Sequence, residues 1–326
     1  PLQDFGLLVA IAVLTSFVIS MTSMTALIGV LRPRALFGKS VESKSKLPTP
    51  LAQQGFAAIG LLKVLALIGM LAITLPVFAS EADSGLEIMQ AVDARPEGIT
   101  QRANLTLALT DRRGRKRVQQ TIVLRKYYGA DKRQVLYYLE PTNVRDTAFL
   151  TYDYADPATE DEQWLYLPAL RKTRRISASD RGDYFLGTDL TYEEMKRQNK
   201  ISLQDWRFSR VGESELDGIN TVIIEGVPVS EQVAEELGYG RARWYVDPET
   251  HTIRRSENFD TQGNPLKTAV FGNVQQVDGI WTVHEITVDN HKTGHQTHLQ
   301  VTDVAYEVPL DDNRFEERTL RRGVPQ

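Results

Sequence analysis

Polar and apolar side chains alternate without a break from Asn104 through Leu105, Thr106, Leu107 and Ala108 to Leu109. A period of two predicts a strand with one buried face. Asp111, Arg112, Arg113 and Gly114 read as a turn, and 120–124 returns as a second strand, which makes a hairpin. The same reading places strands at 134–139, 147–152, 163–167, 174–177, 205–211, 221–226, 241–246, 252–259, 267–276, 280–289 and 295–306. Helical spacing is confined to three short stretches. At 84–94, Leu86, Met89 and Val92 share a face, with Ser84 as N-cap and Pro96 as stop; 191–197 and 230–237 are the others. Consecutive hairpins predict an antiparallel sheet, and few short helices beside it predict an α+β fold. If the sheet curls and the helices cover it only in part, an apolar cavity remains.

The first quarter follows a different pattern. Residues 5–31 carry no charge and are long enough to cross a hydrocarbon core of about 30 Å. Small and hydroxylated residues along this stretch suit helix packing. Arg32, Arg34, Lys39, Lys44 and Lys46 follow, which puts 32–54 on the cytoplasmic side as a basic linker. Residues 55–79 read either as a second spanning helix or as a signal-like segment. In the second case Lys63 ends the charged part and Ala79-Ser80 is the cleavage site. Both readings export 80–326 as a periplasmic β domain and differ in anchoring: 5–31, with 55–79 as the optional second attachment, holds the chain to the inner membrane unless the Ala79-Ser80 bond is cleaved. The chain opens on Pro1 and so reads as part of something longer or as a misjoined reading frame.

Composition narrows the chemistry. A net charge of −4 offers no basic domain for nucleic acid. Without cysteine there is neither disulfide nor thiolate chemistry. No Gly-x-Ser-x-Gly elbow, phosphate-binding loop or His-Glu-x-x-His occurs, so the chain reads as a non-enzyme with no cofactor.

Several residue groups remain as candidates. Arg171, Lys172, Arg174 and Arg175 form a basic cluster. It suits contact with anionic headgroups or a charged partner, or a solvated strand edge protected against pairing. Tyr184, Phe185 and Leu186 stand beside Gly187 in a loop, which is either a binding segment or a plug in the core. Trp164, Tyr166, Trp206, Trp244, Phe271 and Trp281 lie on predicted strands and can line a cavity or fill a core. Asp180, Asp183 and Asp189 lack calcium-loop spacing; Asp189 is expected to cap the helix that follows, with Thr191 as its rival. His291, His295 and His298 resemble a metal tract, but His295 and His298 point to opposite faces of a strand, so no metal site is expected.

The run from Trp164 through Leu167, Pro168, Arg171, Arg174 and Ile176, with its continuation Asp180-Arg181-Gly182-Asp183-Tyr184-Phe185-Leu186-Gly187-Thr188-Asp189-Leu190-Thr191-Tyr192-Glu193-Glu194, resembles the outer-membrane lipoprotein-sorting family. The resemblance implies an unclosed β-barrel with a helical lid and an interior that takes acyl chains. Asp4 to Leu8, Leu14 to Phe17 and Leu31 to Arg34 resemble the last helix of lipid-exporting resistance-nodulation-division permeases. Together they imply a carrier of lipid or acylated lipoprotein that works with an inner-membrane permease. A lipid sensor on the same fold and a structural module without ligand are the alternatives.

Overall fold

The computed structural model describes residues 81–324, which fall within the compact unit Val77–Gln326. The segments expected at 1–31, 32–54 and 55–79 lie outside the described residues. Among the described residues, no helix is long and apolar enough to cross a membrane.

Among the described residues, thirteen antiparallel strands form one sheet that does not close. They are β1 (Thr100–Thr110), β2 (Lys116–Tyr128), β3 (Asp131–Glu140), β4 (Ala148–Asp153), β5 (Glu162–Leu167), β6 (Lys172–Ile176), β7 (Trp206–Leu216), β8 (Ile219–Pro228), β9 (Arg241–Asp247), β10 (Thr252–Phe259), β11 (Pro265–Val277), β12 (Ile280–Asn290) and β13 (Gln296–Tyr306). The spatial order is β6-β5-β4-β3-β2-β1-β13-β12-β11-β10-β9-β8-β7. Two meanders therefore run outward from a central seam where the first and last strands pair. Along that seam Leu105 faces Val301 and Leu107 faces Leu299.

Each predicted strand is present, and several run further than their apolar alternation. β2 begins at Lys116, where its side chains are exposed, because backbone pairing with β1 continues past the apolar positions. The helices among the described residues are α1 (Glu81–Asp93), α2 (Tyr192–Arg197) and α3 (Glu231–Leu237). Ser84, expected as the cap of α1, lies inside that helix instead. α2 is capped by Thr191, whose hydroxyl accepts from the Glu194 amide at 3.2 Å while Glu194 accepts from the Thr191 amide at 2.8 Å. This reciprocal pair displaces Asp189 from the capping role expected of it.

The concave face of the curled sheet holds Leu105, Leu107, Leu109, Val123, Leu136, Phe149, Val288 and Leu299 in one apolar cluster. The connection 177–205 leaves one edge strand, β6, and joins the opposite edge strand, β7, so it must traverse the sheet; it seats Phe185, Leu190 and Met195 in that cluster. Phe185 is fully buried, 4.9 Å from the ring of Phe149 and 5.4 Å from that of Tyr192. On the convex face, Ile122, Leu124, Val135, Tyr137 and Leu150 are covered by two 3-10 turns, Asp312–Phe315 and Glu317–Arg322, through Phe315 and Leu320. Burial on both faces explains why β3 and β4 read as near-continuous apolar runs.

A third cluster joins α1 to the β7–β10 wing through Met89, Val92, Trp206, Phe208, Ile224 and Trp244. α1 lies directly against edge strand β7. A Cβ on Gly85 would sit 2.8 Å from the Arg210 nitrogen, so only glycine allows this approach. The helix thus covers an edge that would otherwise offer free pairing groups.

Candidate functional site

Between the concave face and the connection 177–205 lies a cavity of about 150 Å³. Its apolar wall comes from the inward positions of the strands. Ala103, Leu105, Trp244, Ile253, Ala269, Phe271, Val283 and Ile286 line it, and Leu190 and Met195 close it from the connection. An engineered apolar cavity of about the same volume stays dry and binds benzene, so this one accepts at least a short apolar segment. Trp206 and Trp244 meet at right angles, 5.1 Å between centroids. Gly226 makes room for them, since a Cβ there would be 2.4 Å from the Trp244 ring.

The other end of the cavity is charged. Arg95, Glu97, Arg125, Glu193, Arg197 and Lys200 line it. Glu97 accepts from the Tyr127 hydroxyl at 2.6 Å and lies 3.7 Å from both Arg125 and Lys200. Burial pushes the Glu97 carboxyl up, but Arg125, Lys132 and Lys200 outweigh it and hold it down to about 2. Lys132 and Arg197 share Asp153 at 3.1 and 3.0 Å. Glu193 sits 2.9 Å from Lys196 and 3.1 Å from Arg197, and Lys196 also pairs with Asp161. Burial raises the Glu193 carboxyl as well, and those two cations bring it to about 2. This network ties α2 to β3, β4 and the strand entry at Glu97.

A second tie holds the connection to the far wing. Lys267 of β11, almost wholly buried, donates to Glu194 at 2.6 Å and to the Asp189 carbonyl at 2.7 Å. Tyr239 donates its hydroxyl to Glu194 at 2.9 Å. Asp189 accepts from the Thr297 hydroxyl at 2.7 Å and meets His295 Nδ1 at 2.6 Å. This use of its carboxylate explains why it does not cap α2.

The candidate residues separate into three places. Trp206, Trp244, Phe271 and Trp281 line the cavity. Tyr184, Phe185 and Leu186 belong to the traversing connection: Phe185 is a plug in the core, Leu186 packs against that core, and Tyr184 accepts from Asn290 at 2.9 Å. Trp164 and Tyr166 occupy the outward phase of β5 and pack on the convex side with Tyr152 and Phe315, away from the cavity. The strand period decides this, because Leu165 between them points inward. Arg171 precedes edge strand β6, which carries Arg174 and Arg175. Arg174 pairs with Asp180 at 2.9 Å and Arg175 with Glu162 at 3.5 Å, all at the surface. The three histidines of the tract take separate partners, His291 with Thr268, His295 with Asp189 and His298 with Thr287. Among the described residues, no group of His, Asp and Glu converges to hold a metal.

Sequence reading passed over the inward charges Arg95, Glu97, Arg125, Lys200 and Lys267. Two of them carried a signal. Arg125 is in phase with Val123, and Lys267 with Ala269 and Phe271, so each falls on the buried face of its strand.

Comparison with known proteins fits this geometry. One family model, described as "-like: Uncharacterized protein", matches residues 130–322, well over half of the chain. No curated protein matches. An outer membrane lipoprotein-sorting protein domain from Vibrio parahaemolyticus is 27% identical, with TM-score 0.67 over 74% of this chain and 100% of that one. A DUF1329 family protein from Desulfovibrio piger is 24% identical, with TM-score 0.69 over the same shares. A LolA superfamily protein from Nitrosomonas europaea is 18% identical, with TM-score 0.56 over 74% of this chain and 99% of that one, and shares the fold. The chain therefore belongs to the family of the matching model, and its described part has an unclosed half-barrel fold like that of the outer membrane lipoprotein-sorting protein domain.

Proposed function

We propose that the exported part of this chain binds a lipid or lipid-modified cargo in its half-barrel and carries it through the periplasm toward the outer membrane. The observation that supports this best is the apolar cavity walled by Trp206, Trp244 and Phe271 beneath a connection tied to the wall by side chains. Burial of an acyl segment there is favourable at about 25 cal/mol per Å² of apolar surface removed from water. The present volume is below the ~300–1,000 Å³ usual for larger ligands, so a full cargo needs the connection 177–205 to move outward. That connection acts as the lid: Phe185 is its plug, and Lys267 with Glu194 is its catch.

An inner-membrane permease of the resistance-nodulation-division type is the partner that loads the cavity, a reading carried by the resemblance of residues 4–34. Arg171, Arg174 and Arg175 on the exposed edge beside β6 are the surface for anionic headgroups or for that partner.

Native purification of the unit followed by lipid mass spectrometry tests the central claim. A stoichiometric lipid, displaced when Phe271→Trp narrows the cavity, is the expected result. A protein that comes free of lipid and takes up none from vesicles refutes the carrier.

A further inference from the structure

Every cation of the buried network but one has a carboxylate within reach. Arg125 and Lys200 share Glu97, Lys132 and Arg197 share Asp153, and Lys196 has Asp161 and Glu193. Arg95 has none among the described residues. Its side chain lies just beyond the end of α1, is 8% exposed, lines the cavity, and leaves Nε and Nη1 buried without a hydrogen-bond partner. Glu97, two residues on, does not serve it. One of its oxygens faces Arg125, and the other takes the Tyr127 hydroxyl and Lys200. A buried guanidinium with idle donors is costly to the apo protein, and such a group is ordinarily satisfied by an oxyanion that takes its planar fork. The apolar wall begins in the same cavity, at Ala103, Leu105, Val283 and Val301.

We propose that Arg95 is a head-group anchor, so that the cavity selects an amphiphile with an anionic carboxylate or phosphate head and a single apolar tail along the Trp244–Phe271 wall. This rests on the lipid-binding reading above and narrows it, because a neutral acyl chain would leave Arg95 unanswered. Burial holds the Arg95 guanidinium below its ordinary range against the pull of Glu97. Gln101, Tyr306 and Thr282 form a hydrogen-bonded row beside this end, Gln101 to Tyr306 at 3.2 Å and Tyr306 to Thr282 at 2.8 Å, and offer further polar contacts to the head.

The test uses the unit Val77–Gln326, whose solved relatives consist of this part alone. Delipidated protein is titrated with palmitate, hexadecyl phosphate, hexadecanol and inorganic phosphate, and binding is followed by tryptophan fluorescence and calorimetry. Palmitate or hexadecyl phosphate, or both, should bind at least tenfold tighter than hexadecanol, and which of the two does so identifies the head as carboxylate or phosphate. Arg95→Gln should remove that preference while leaving hexadecanol within about twofold, and Arg95→Lys should restore part of it. The apo Arg95→Gln protein should melt no lower than the parent, which shows that it folds. Equal affinity for palmitate, hexadecyl phosphate and hexadecanol, or a preference that survives Arg95→Gln, overturns the anchor while the lipid-binding reading stands. Inorganic phosphate bound as tightly as hexadecyl phosphate also overturns it, in favour of a free-anion site. If none of the three amphiphiles binds, the lipid-binding reading itself fails.

Discussion

Phe185 and Gly226 do opposite work in the interior. Phe185 fills space: it is the one aromatic ring that the connection 177–205 seats wholly inside the sheet. Phe185→Ala should cost about 3–5 kcal/mol by leaving a cavity. A lowered urea midpoint would show the cost, and faster hydrogen exchange at 185–198 would show that the plug holds the connection down. An unchanged exchange pattern would mean that the ion pairs alone retain it. Gly226 supplies space: its missing Cβ lets the Trp244 ring come close against β8 beside Trp206. Gly226→Ala should cost about 1–3 kcal/mol through overpacking, with a change in the near-ultraviolet circular dichroism of the displaced tryptophans. A variant as stable as the parent, with the parent spectrum, would contradict the tight approach.

At the level of elements, α2 is only six residues long and cannot stand by its own propensity. Its start depends on the reciprocal Thr191–Glu194 pair, and Glu194 in turn is held by Lys267 and Tyr239. Thr191→Ala should therefore cost about 0.5–2 kcal/mol, measured by thermal denaturation, while Asp189→Asn leaves the helix start intact by nuclear magnetic resonance shifts. Loss of the helix start in the Asp189 variant would restore the rejected cap. The C-terminal turns act in the same way on the convex face. Phe315→Ala should destabilise by about 3–5 kcal/mol and raise binding of a hydrophobic dye, because Ile122, Tyr137 and Leu150 lose their cover. Unaltered dye binding would mean that those strands do not need the segment.

Across the whole molecule, the charged network makes stability depend on acid. Glu97 and Glu193 titrate at about 2 in the folded protein, against about 4.3 for an unperturbed glutamate. A carboxylate with a depressed folded value contributes stability that is fully present above the unfolded value and is lost as pH falls through the folded one. The melting temperature should thus decline from about pH 5 to about pH 2, and the double variant Glu97→Gln, Glu193→Gln should show a shallower decline. Calorimetry across that range checks it, and a flat profile in the parent would show that the pairs are not kept in solution. The same network links the start of β1, the inside of β2 to β4 and the lid helix, so acid should loosen the lid before the sheet.

Among the described residues, the number of strands, their order along the chain and the three helices were legible in the sequence, because alternation, turns and caps are local properties. The family-like stretch from Trp164 to Glu194 also points to an unclosed barrel. Three facts lay beyond local pattern. The pairing of β1 with β13 joins residues about two hundred positions apart and makes one curled sheet of the two meanders. The division of the aromatics followed from that curl: Trp206, Trp244, Phe271 and Trp281 face the cavity, while Trp164 and Tyr166, equally strand-borne, pack behind it. The buried charges are the clearest case. Arg95, Glu97 and Lys200 look like ordinary surface residues one at a time, and the phase of Arg125 shows only that it is buried. Only the tertiary structure brings them to one end of an apolar cavity, where low dielectric makes each pairing, and the one missing pairing, count.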